Sequence, residues 1–467
     1  MADRSRPNGG ARLEIPPIAT ELGERFRLAG HELYLVGGVV RDLLLGRNHW
    51  DNLDFATDAL PRQTLRVLQG WAESRTLIGA KYGTVGARKG GTLVEITTFR
   101  EEVYAEEHRK PAVTFGKDLL TDLSRRDFTI NAMAVRLPDG EFVDPFGGVK
   151  DLAGKRLDTP LDPEVAFSDD PLRMLRAARF VAQLKAIPAP RVIQSIEQMR
   201  GRLQIVSAER IREEFSKLMT ATAPSDALDL LVRTGLADEF VPELSALKLE
   251  QDPVQKHKDV LLHTFAVVEK CRPDLTLRLA ALLHDIGKPA TRQITPDGVS
   301  FHHHEVVGAR MARERLQALR YPSHVVDDVS RLVEMHLRFH GYTEWSDSAV
   351  RRYVRDAGPL LDELNQLTRA DCTTQNRFKA KKLEALQDDL EERIARLAEE
   401  ENLDAMRPPL DGGQVMEHLG IPPGPEVGRA LDHLMELRLE RGPLDEDEAF
   451  RQLDEWWRAE RDTPGVR

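Results

Sequence analysis

The sequence predicts an α+β protein, with a mixed-sheet head followed by an elongated all-α body. Two observations carry this. From about residue 30 to 155, short β-branched and aromatic runs such as LYLVGG, GTVGARKGG, TLVEITTF and AVRLPDGEFVDPFGG alternate with glycine-rich turns, the pattern of a sheet. Beyond about residue 165, apolar residues recur at helical spacing almost to the end, as in PLRMLRAARFVAQL and LRLAALLHDIG. At 467 residues the chain is too long for one core, and roughly two to four domains are expected. The boundaries fall as a flexible tail over 1–25, the head over 26–160, a helical neck over 161–245, a histidine-bearing helical unit over 250–380 and a helical tail over 381–467.

Composition narrows the class. Hydrophobic residues make up 41% and charged residues 31%, as in an ordinary soluble protein, and no apolar run approaches the roughly 20 residues that span a bilayer. The N-terminus MADRSRPNGGARLE has no apolar core of a secretory signal. Two cysteines, Cys271 and Cys372, exclude a disulfide scaffold and make a cytoplasmic location the default. The net charge of −11 argues against a generic polyanion binder. Yet Pro171–Lys217 holds ten Lys/Arg against four Asp/Glu, a local patch suited to phosphates. The acidic runs QDDLEERIARLAEEE and LDEDEAF read as solvated helix faces.

In the head, Tyr34-Leu35-Val36 forms an apolar strand ending in Gly37-Gly38, and VVRDLLLG follows as a helix. Glycines there let backbone N–H groups approach a phosphate. Asp51-Asn52-Leu53-Asp54-Phe55-Ala56-Thr57 comes next, then the strand-like Leu93-Val94-Glu95-Ile96-Thr97. Two carboxylates near one strand and a third on its neighbour can hold two Mg²⁺ ions, one activating a 3′-hydroxyl and one neutralising a triphosphate. The hard oxygen donors fit Mg²⁺. Leu137–Gly140 (LPDG) is a hairpin turn. In Arg125-Arg126-Asp127-Phe128-Thr129-Ile130-Asn131, the paired arginines suit bidentate contact with phosphate oxygens.

VGGVVRDLLLG, DFATDA, VEITTFR, RRDFTINAMA, DPFGG and DDPLRMLRAARF, in this order, resemble the bacterial CCA-adding tRNA nucleotidyltransferase and poly(A) polymerase family. This is the class II branch of the polymerase-β-like nucleotidyltransferases. The resemblance covers roughly residues 30–185. It implies a Mg²⁺-dependent enzyme that adds C and A from CTP and ATP to the tRNA 3′ end without a template. It further implies metal and catalytic roles for Asp54, Asp51 or Asn52, and Glu95. Nucleotide contacts are implied for Gly37, Gly38, Arg41, Asp42, Arg125, Arg126, Asp127 and Asn131. The sequence departs from the family at the first metal ligand. Aligning on DFAT puts Asn52 where an Asp is expected; aligning from Gly46-Arg47 puts Asp51 there but Leu53 at the second position. Either a local bulge brings Asp51 in, or Asn52 fills the slot with reduced activity, and Asp54 is the firmer ligand.

Asp170 and Arg173 are three apart and are expected on one helix face after Pro171. An ionised Asp only accepts hydrogen bonds and Arg only donates. Cytosine and adenine each present an amino donor beside a ring-nitrogen acceptor, whereas uracil and guanine reverse the order. The pair therefore matches C and A, and leaving buried polar groups unpaired costs roughly 1–3 kcal/mol each for U or G. Arg176 and Arg179 on the same helix are candidates for nucleotide or phosphate contacts.

The body holds a second constellation: His263, His284-Asp285, His304, His336 and Asp371. An N/O shell of this kind suits Mn²⁺, Ni²⁺, Fe²⁺ or Zn²⁺. LLHDIGKP with these spaced partners resembles the HD phosphohydrolase domain, which implies metal-dependent phosphatase or cyclic-phosphodiesterase action on nucleotide ends. His302, His303 and His340 lie nearby as supporting or exposed groups. The segment VMEHLGIPPGPEVGRALDHLMELRLERGPLDEDEAFRQLDEWW either holds tRNA by its backbone or forms a helical cap anchored by Trp456-Trp457. Rival readings are a poly(A) polymerase, an enzyme adding only CC or only A, and an HD phosphohydrolase with a non-catalytic RNA-binding head. Glu101–Pro111 (EEVYAEEHRKP) fills the place of the loop that partial CC-adders of the family lack, which favours full CCA addition.

Overall fold

The computed structural model describes residues 13–47, 50–76, 83–103, 112–116, 118–248, 259–295, 298–339, 342–372, 377–401 and 407–462. The chain splits into two compact units, Met1–Ser245 and Ala246–Arg467. In the first, α1 (Pro17–Leu28) precedes β1 (Leu33–Val36), α2 (Gly38–Leu44), β2 (Asn52–Thr57), α3 (Pro61–Val67), β3 (Ser74–Thr76), β4 (Thr84–Lys89), β5 (Thr92–Thr98), β6 (Arg100–Val103) and β7 (Ala112–Phe115). Then come α4 (Leu119–Ser124), β8 (Ala134–Leu137), β9 (Phe142–Val143), α5 (Gly148–Ala153) and β10 (Arg156–Leu157). Seven strands make one sheet in the order β3-β4-β5-β2-β1-β8-β9. β2 and β5 run parallel and the other neighbours antiparallel, so the sheet is mixed as expected.

Strand alternation sends successive side chains to opposite faces, and the sheet uses this to build two cores. Leu33, Leu35, Leu53, Phe55, Val94 and Ile96 fill one face. Tyr34, Val36 and Ala56 fill the other, with Phe99 and Leu123. The flexible tail expected through residue 25 ends sooner. Ala19, Leu22 and Phe26 of α1 are buried in the first core, because their three- and four-residue spacing gives the helix one apolar face. The LPDG turn joins β8 to β9, with Gly140 at φ +76°.

The neck contains α6 (Pro163–Asp169), α7 (Leu172–Leu184), β11 (Ile187–Pro188), α8 (Pro190–Met199), α9 (Ala208–Met219), α10 (Pro224–Arg233) and α11 (Pro242–Ala246). It departs from purely helical by β11, which pairs in parallel with β10. The second unit comprises α12 (Val260–Lys270), α13 (Leu275–Leu283), α14 (Lys288–Thr291), β12 (Arg292–Thr295), β13 (Gly298–Phe301), α15 (His304–Ala318), α16 (Ser323–Met335), α17 (Asp347–Ala357) and α18 (Leu361–Asp371). It closes with α19 (Arg377–Glu401), α20 (Gly412–Leu419), α21 (Pro425–Arg441) and α22 (Glu446–Asp462). The β12–β13 hairpin is a second β element that the helical periodicity did not announce. Asp259 and Asp274 cap α12 and α13 by accepting backbone N–H bonds. Val415, Ala430, Leu434 and Leu453 of the last three helices share a core against which Trp456 packs. Among the described residues, no helix is long and apolar enough to cross a membrane.

If α1 belongs to the head's core, Phe26→Ala leaves a cavity costing about 3–5 kcal/mol. Urea unfolding of the variant should show that loss, and an unchanged midpoint would remove α1 from the core.

Candidate functional site

Parallel pairing of β2 with β5 sets Asp54 opposite Glu95. Leu53 and Phe55, and Val94 and Ile96, point into one core, so Asp54 and Glu95 project together from the other face. Burial pushes the Asp54 carboxyl up, and the neighbouring Glu95 carboxylate adds to the effect. The register runs without interruption from Asn52 opposite Leu93 to Thr57 opposite Thr98. The bulge that would carry Asp51 inward is therefore absent from this ladder. Asp51 and Asn52 are both exposed; Asn52 shares the parity of Asp54, whereas Asp51 precedes the strand and has the parity of the core residue Leu53.

Gly37 ends β1 with φ +77°, a conformation that a β-carbon would strain. A β-carbon there would also stand 3.0 Å from Arg126 Nη1 and 3.8 Å from Asp54 Oδ2. Glycine thus lets the backbone lie directly beside a carboxylate and a guanidinium. Gly38 starts α2 next to the Arg41 guanidinium, 3.4 Å from where its β-carbon would be. Arg126 is steadied by Asp122 of α4 at 3.2 Å. Arg125 and Arg126 line an open cavity of about 510 Å³ together with Asp170, Arg173, Arg176 and Arg210. Thr97, on the same face of β5 as Glu95, is part of its wall.

Part of that wall is a polar network centred on Asp127, which lines the cavity together with Arg176 and Glu214. Its Oδ1 accepts from the Asn131 amide at 2.9 Å and from its neighbour's N–H at Phe128 at 2.8 Å. Its Oδ2 accepts from Arg176 Nε at 2.9 Å and Nη2 at 2.5 Å. Burial alone would raise this carboxyl, but the Arg176 guanidinium and the Asn131 amide hold it down at about 2. Asn131 Oδ1 in turn accepts from Arg41 at 2.7 Å, and Arg41 forks onto Asp42 at 3.0 Å. Arg176 and Arg179 both reach Glu214 of α9. Arg41, Arg176 and Arg179 surround the Phe180 ring, 4.5–5.8 Å from its centre. Arg179 is buried in this cluster and burial depresses it to about 10; expected as a phosphate contact, it lies outside the cavity wall and acts as a packing cation.

Asp170 and Arg173 do line one cavity, but not as an i,i+3 pair on a helix. Asp170 is extended (φ −144°, ψ 100°) in the break between α6 and α7, with Pro171 as N-cap of α7. Its Oδ1 accepts from the Leu172 N–H at 3.2 Å and its Oδ2 from Arg210 at 2.8 Å. Arg173 donates to the carbonyls of Ala166, at 3.2 Å, and Arg125. Each member is thus oriented by other groups, and the two reach the cavity independently. Arg210, Glu214 and Asp122 were not singled out from the sequence. Arg210 sits in the basic stretch 171–217, which was the one signal available.

In the second unit, five helices bring His263, His284, Asp285, His304, His336 and Asp371 together. His263 Nε2 lies 2.9 Å from Asp371, His284 Nε2 3.2 Å from Asp285 and His304 Nε2 3.4 Å from Asp285. The ligand atoms of His263, His284 and Asp285, and of Asp285, His304 and His336, lie within 4.8 Å of one another. His284, His304 and His336 each donate Nδ1–H to the carbonyl three residues back, at 2.6–2.8 Å, which turns Nε2 inward. Among the described residues, Nε2 of His284 and of His304 has no hydrogen-bond partner. Burial, with His284 beside it, drives His336 down to about 3, so it is a neutral donor. Burial opposes protonation of His284 too, but the Asp285 carboxylate outweighs it and raises that imidazole. Lys288 pins Asp285 Oδ2 at 2.6 Å. Gly287 permits the close approach of α15, since a β-carbon there would fall 2.1 Å from the His304 carbonyl. His303 is exposed and His302 lies outside the cluster; His340 and the loop residues 104–111 fall outside the described residues.

Comparison with known proteins finds relatives along most of the chain. Residues 33–158 match the poly A polymerase head domain, 187–248 the probable RNA and SrmB-binding site of polymerase A, and 261–427 the HD domain. A CCA-adding enzyme of Anoxybacillus flavithermus is 34% identical over 74% of this chain and 76% of its own length. An A-adding tRNA nucleotidyltransferase of Deinococcus radiodurans is 34% identical over 92% of this chain and 96% of its own. The crystal structure of the Bacillus stearothermophilus CCA-adding enzyme in complex with CTP superposes with a TM-score of 0.71 at 26% identity, covering 96% of this chain and 99% of that one.

Because Asp127 is held below the ordinary carboxylate range, its contribution to stability is complete above about pH 4 and is lost as pH falls toward 2. The contribution is roughly 2 kcal/mol. Thermal melts should show wild type well above Asp127→Asn at neutral pH and the gap closing below pH 4; a gap independent of pH would mean the carboxylate's charge plays no part.

Proposed function

The chain belongs to the tRNA nucleotidyltransferase family of CCA-adding and A-adding enzymes, and we propose that it extends the tRNA 3′ end with C and A from CTP and ATP without a nucleic-acid template. The observation that carries this is the meeting, around one cavity, of Arg125 and Arg126 with an acceptor, Asp170, and a donor, Arg173. A cytosine or adenine presents the complementary donor and acceptor to that pair. Asp170 is oriented by Leu172 N–H and Arg210, and Arg173 by two backbone carbonyls, so both are set before the nucleotide arrives. Arg125 and Arg126 hold the triphosphate, and Gly37 allows the backbone to approach it.

The head is a metal-dependent fold, and Mg²⁺ fits its donors. Asp54 and Glu95 repel one another across the β2–β5 ladder, and a divalent cation removes that repulsion. Asn52, by its strand parity, takes the first ligand position with a neutral carbonyl oxygen, a weaker donor than a carboxylate. When bound, the metal makes the 3′-hydroxyl more acidic and neutralises charge on the departing pyrophosphate. The two thiols are free, in keeping with a cytoplasmic location.

Two further readings have observations behind them. Addition of A alone is favoured by the relative that matches over 92% of the chain, which is an A-adding enzyme. A second activity, metal-dependent hydrolysis of phosphate esters, is favoured by the inward-facing imidazoles around Asp285; Mn²⁺, Ni²⁺, Fe²⁺ or Zn²⁺ suits that donor set.

Incubation with tRNA lacking its 3′ end and each NTP singly and together, followed by sequencing, separates the first two: CCA supports full addition, and extension only of tRNA already ending in CC supports A addition. Asp54→Ala should abolish extension and Asn52→Asp should raise its rate several-fold; activity surviving Asp54→Ala would refute the metal assignment. Opening of 2′,3′-cyclic nucleotides to the monophosphate with Mn²⁺ or Ni²⁺, or release of phosphate from a 2′- or 3′-monophosphate, lost in Asp285→Ala, is expected of the second unit, and silence with every metal would remove that activity.

A further inference from the structure

A second cleft of about 330 Å³ lies in the first unit and shares no lining residue with the catalytic cavity. Its floor is aliphatic: Leu45 just beyond α2, Ile130, Leu152 of α5 and Leu184 of α7. Gln183 and Thr222 supply polar groups beside it, and the Asp151 carboxylate also lines it, engaged by the Thr129 hydroxyl at 2.6 Å and by Arg156. Its rim is cationic, with Arg47, Lys155 and Lys185 exposed around it. Arg156 also lines the cleft, but Asp158 at 2.6 Å and Asp151 at 3.7 Å neutralise it. Arg47 stands 4.0 Å from Asp42, and among the described residues neither lysine is held in an ion pair.

The two lysines are set there by the backbone. Each follows the end of a helix with φ +51°, in the left-handed region, and they are two of only four such non-glycine residues described. They flank the β10–β11 pair, where the Ile187 N–H donates to the Lys155 carbonyl at 2.6 Å. The left-handed backbone at the two helix ends fixes where the lysine side chains leave the chain. The volume is that of a small-ligand site, with an apolar floor and a few placed polar groups.

We propose that this cleft binds a nucleoside monophosphate unit, its flat heterocycle on the Leu45–Ile130–Leu152–Leu184 floor and its phosphate between Lys155 and Lys185. The chemistry is common to a free nucleotide and to a nucleotide within RNA. Ile130, which lines the cleft, is the chain neighbour of Asn131, whose Oδ1 accepts from Arg41 at 2.7 Å.

The full chain is first saturated with CTP, whose own titration reports the catalytic site separately, and AMP is then added in a calorimeter. One AMP per chain should bind, adenosine far more weakly. Lys155→Glu with Lys185→Glu should weaken AMP by about tenfold or more while CTP affinity is kept. Leu152→Trp, which fills the floor, should also block AMP. Displacement of AMP by tRNA identifies an RNA nucleotide as the occupant, and retention identifies the free nucleotide. Absence of AMP uptake by CTP-saturated protein, or uptake indifferent to the charge reversals, overturns the proposal.

Discussion

The head's site is assembled on one buried carboxylate. Asp127 binds Asn131 and the Phe128 N–H within its own segment and Arg176 from α7. Through Asn131 it fixes Arg41 of α2, and through Arg176 it reaches Glu214 of α9. A lone charge buried this deeply would be costly. Each of its oxygens is satisfied, however, and the charge is balanced by a guanidinium, so the network stabilises one arrangement of sheet, turn and neck helices. Removing one partner leaves the others buried and unpaired, which is why such networks fail as units. The cavity residues Arg125, Arg126 and Arg173 hang from segments that this carboxylate holds in place.

The second constraint is strand parity. Alternation along β2 and β5 commits Leu53, Phe55, Val94 and Ile96 to a core, and parallel register then leaves Asp54 and Glu95 side by side on the other face. A one-residue slip would turn the carboxylates into that apolar core and carry its residues to the face of the site. The same rule separates Asn52 from Asp51. The hydrophobic core, rather than any contact at the site, therefore determines which of the two shares the parity of Asp54, and that residue is the amide.

The cluster in the second unit obeys a different logic. Its imidazoles are anchored by Nδ1–H bonds to carbonyls one helical turn back, so helix geometry alone aims Nε2 at the centre. Close approach of helices then decides the spacing, and Gly287 is the residue that permits it. Burial keeps His336 neutral and hence a ready donor.

Much of this was legible in the chain itself. Gly-Gly after an apolar strand, the Asp54 and Glu95 strands, the paired arginines and the spaced histidines are local patterns, and local patterns survive without tertiary information because strand and helix periods are set by the backbone. The fold class followed from them. Other features needed the third dimension. The sequence placed Asp170 and Arg173 on one helix face, but a helix break puts Asp170 in extended backbone, where Arg210, from a helix distant in sequence, orients it. Arg179 looked like a phosphate contact and is a buried packing cation, since only packing shows which face of α7 meets the core. The packed α1 and the short β elements were likewise missed, because pairing and burial depend on partners distant in sequence. Periodicity determines which residues share a face; what that face meets is decided by the fold.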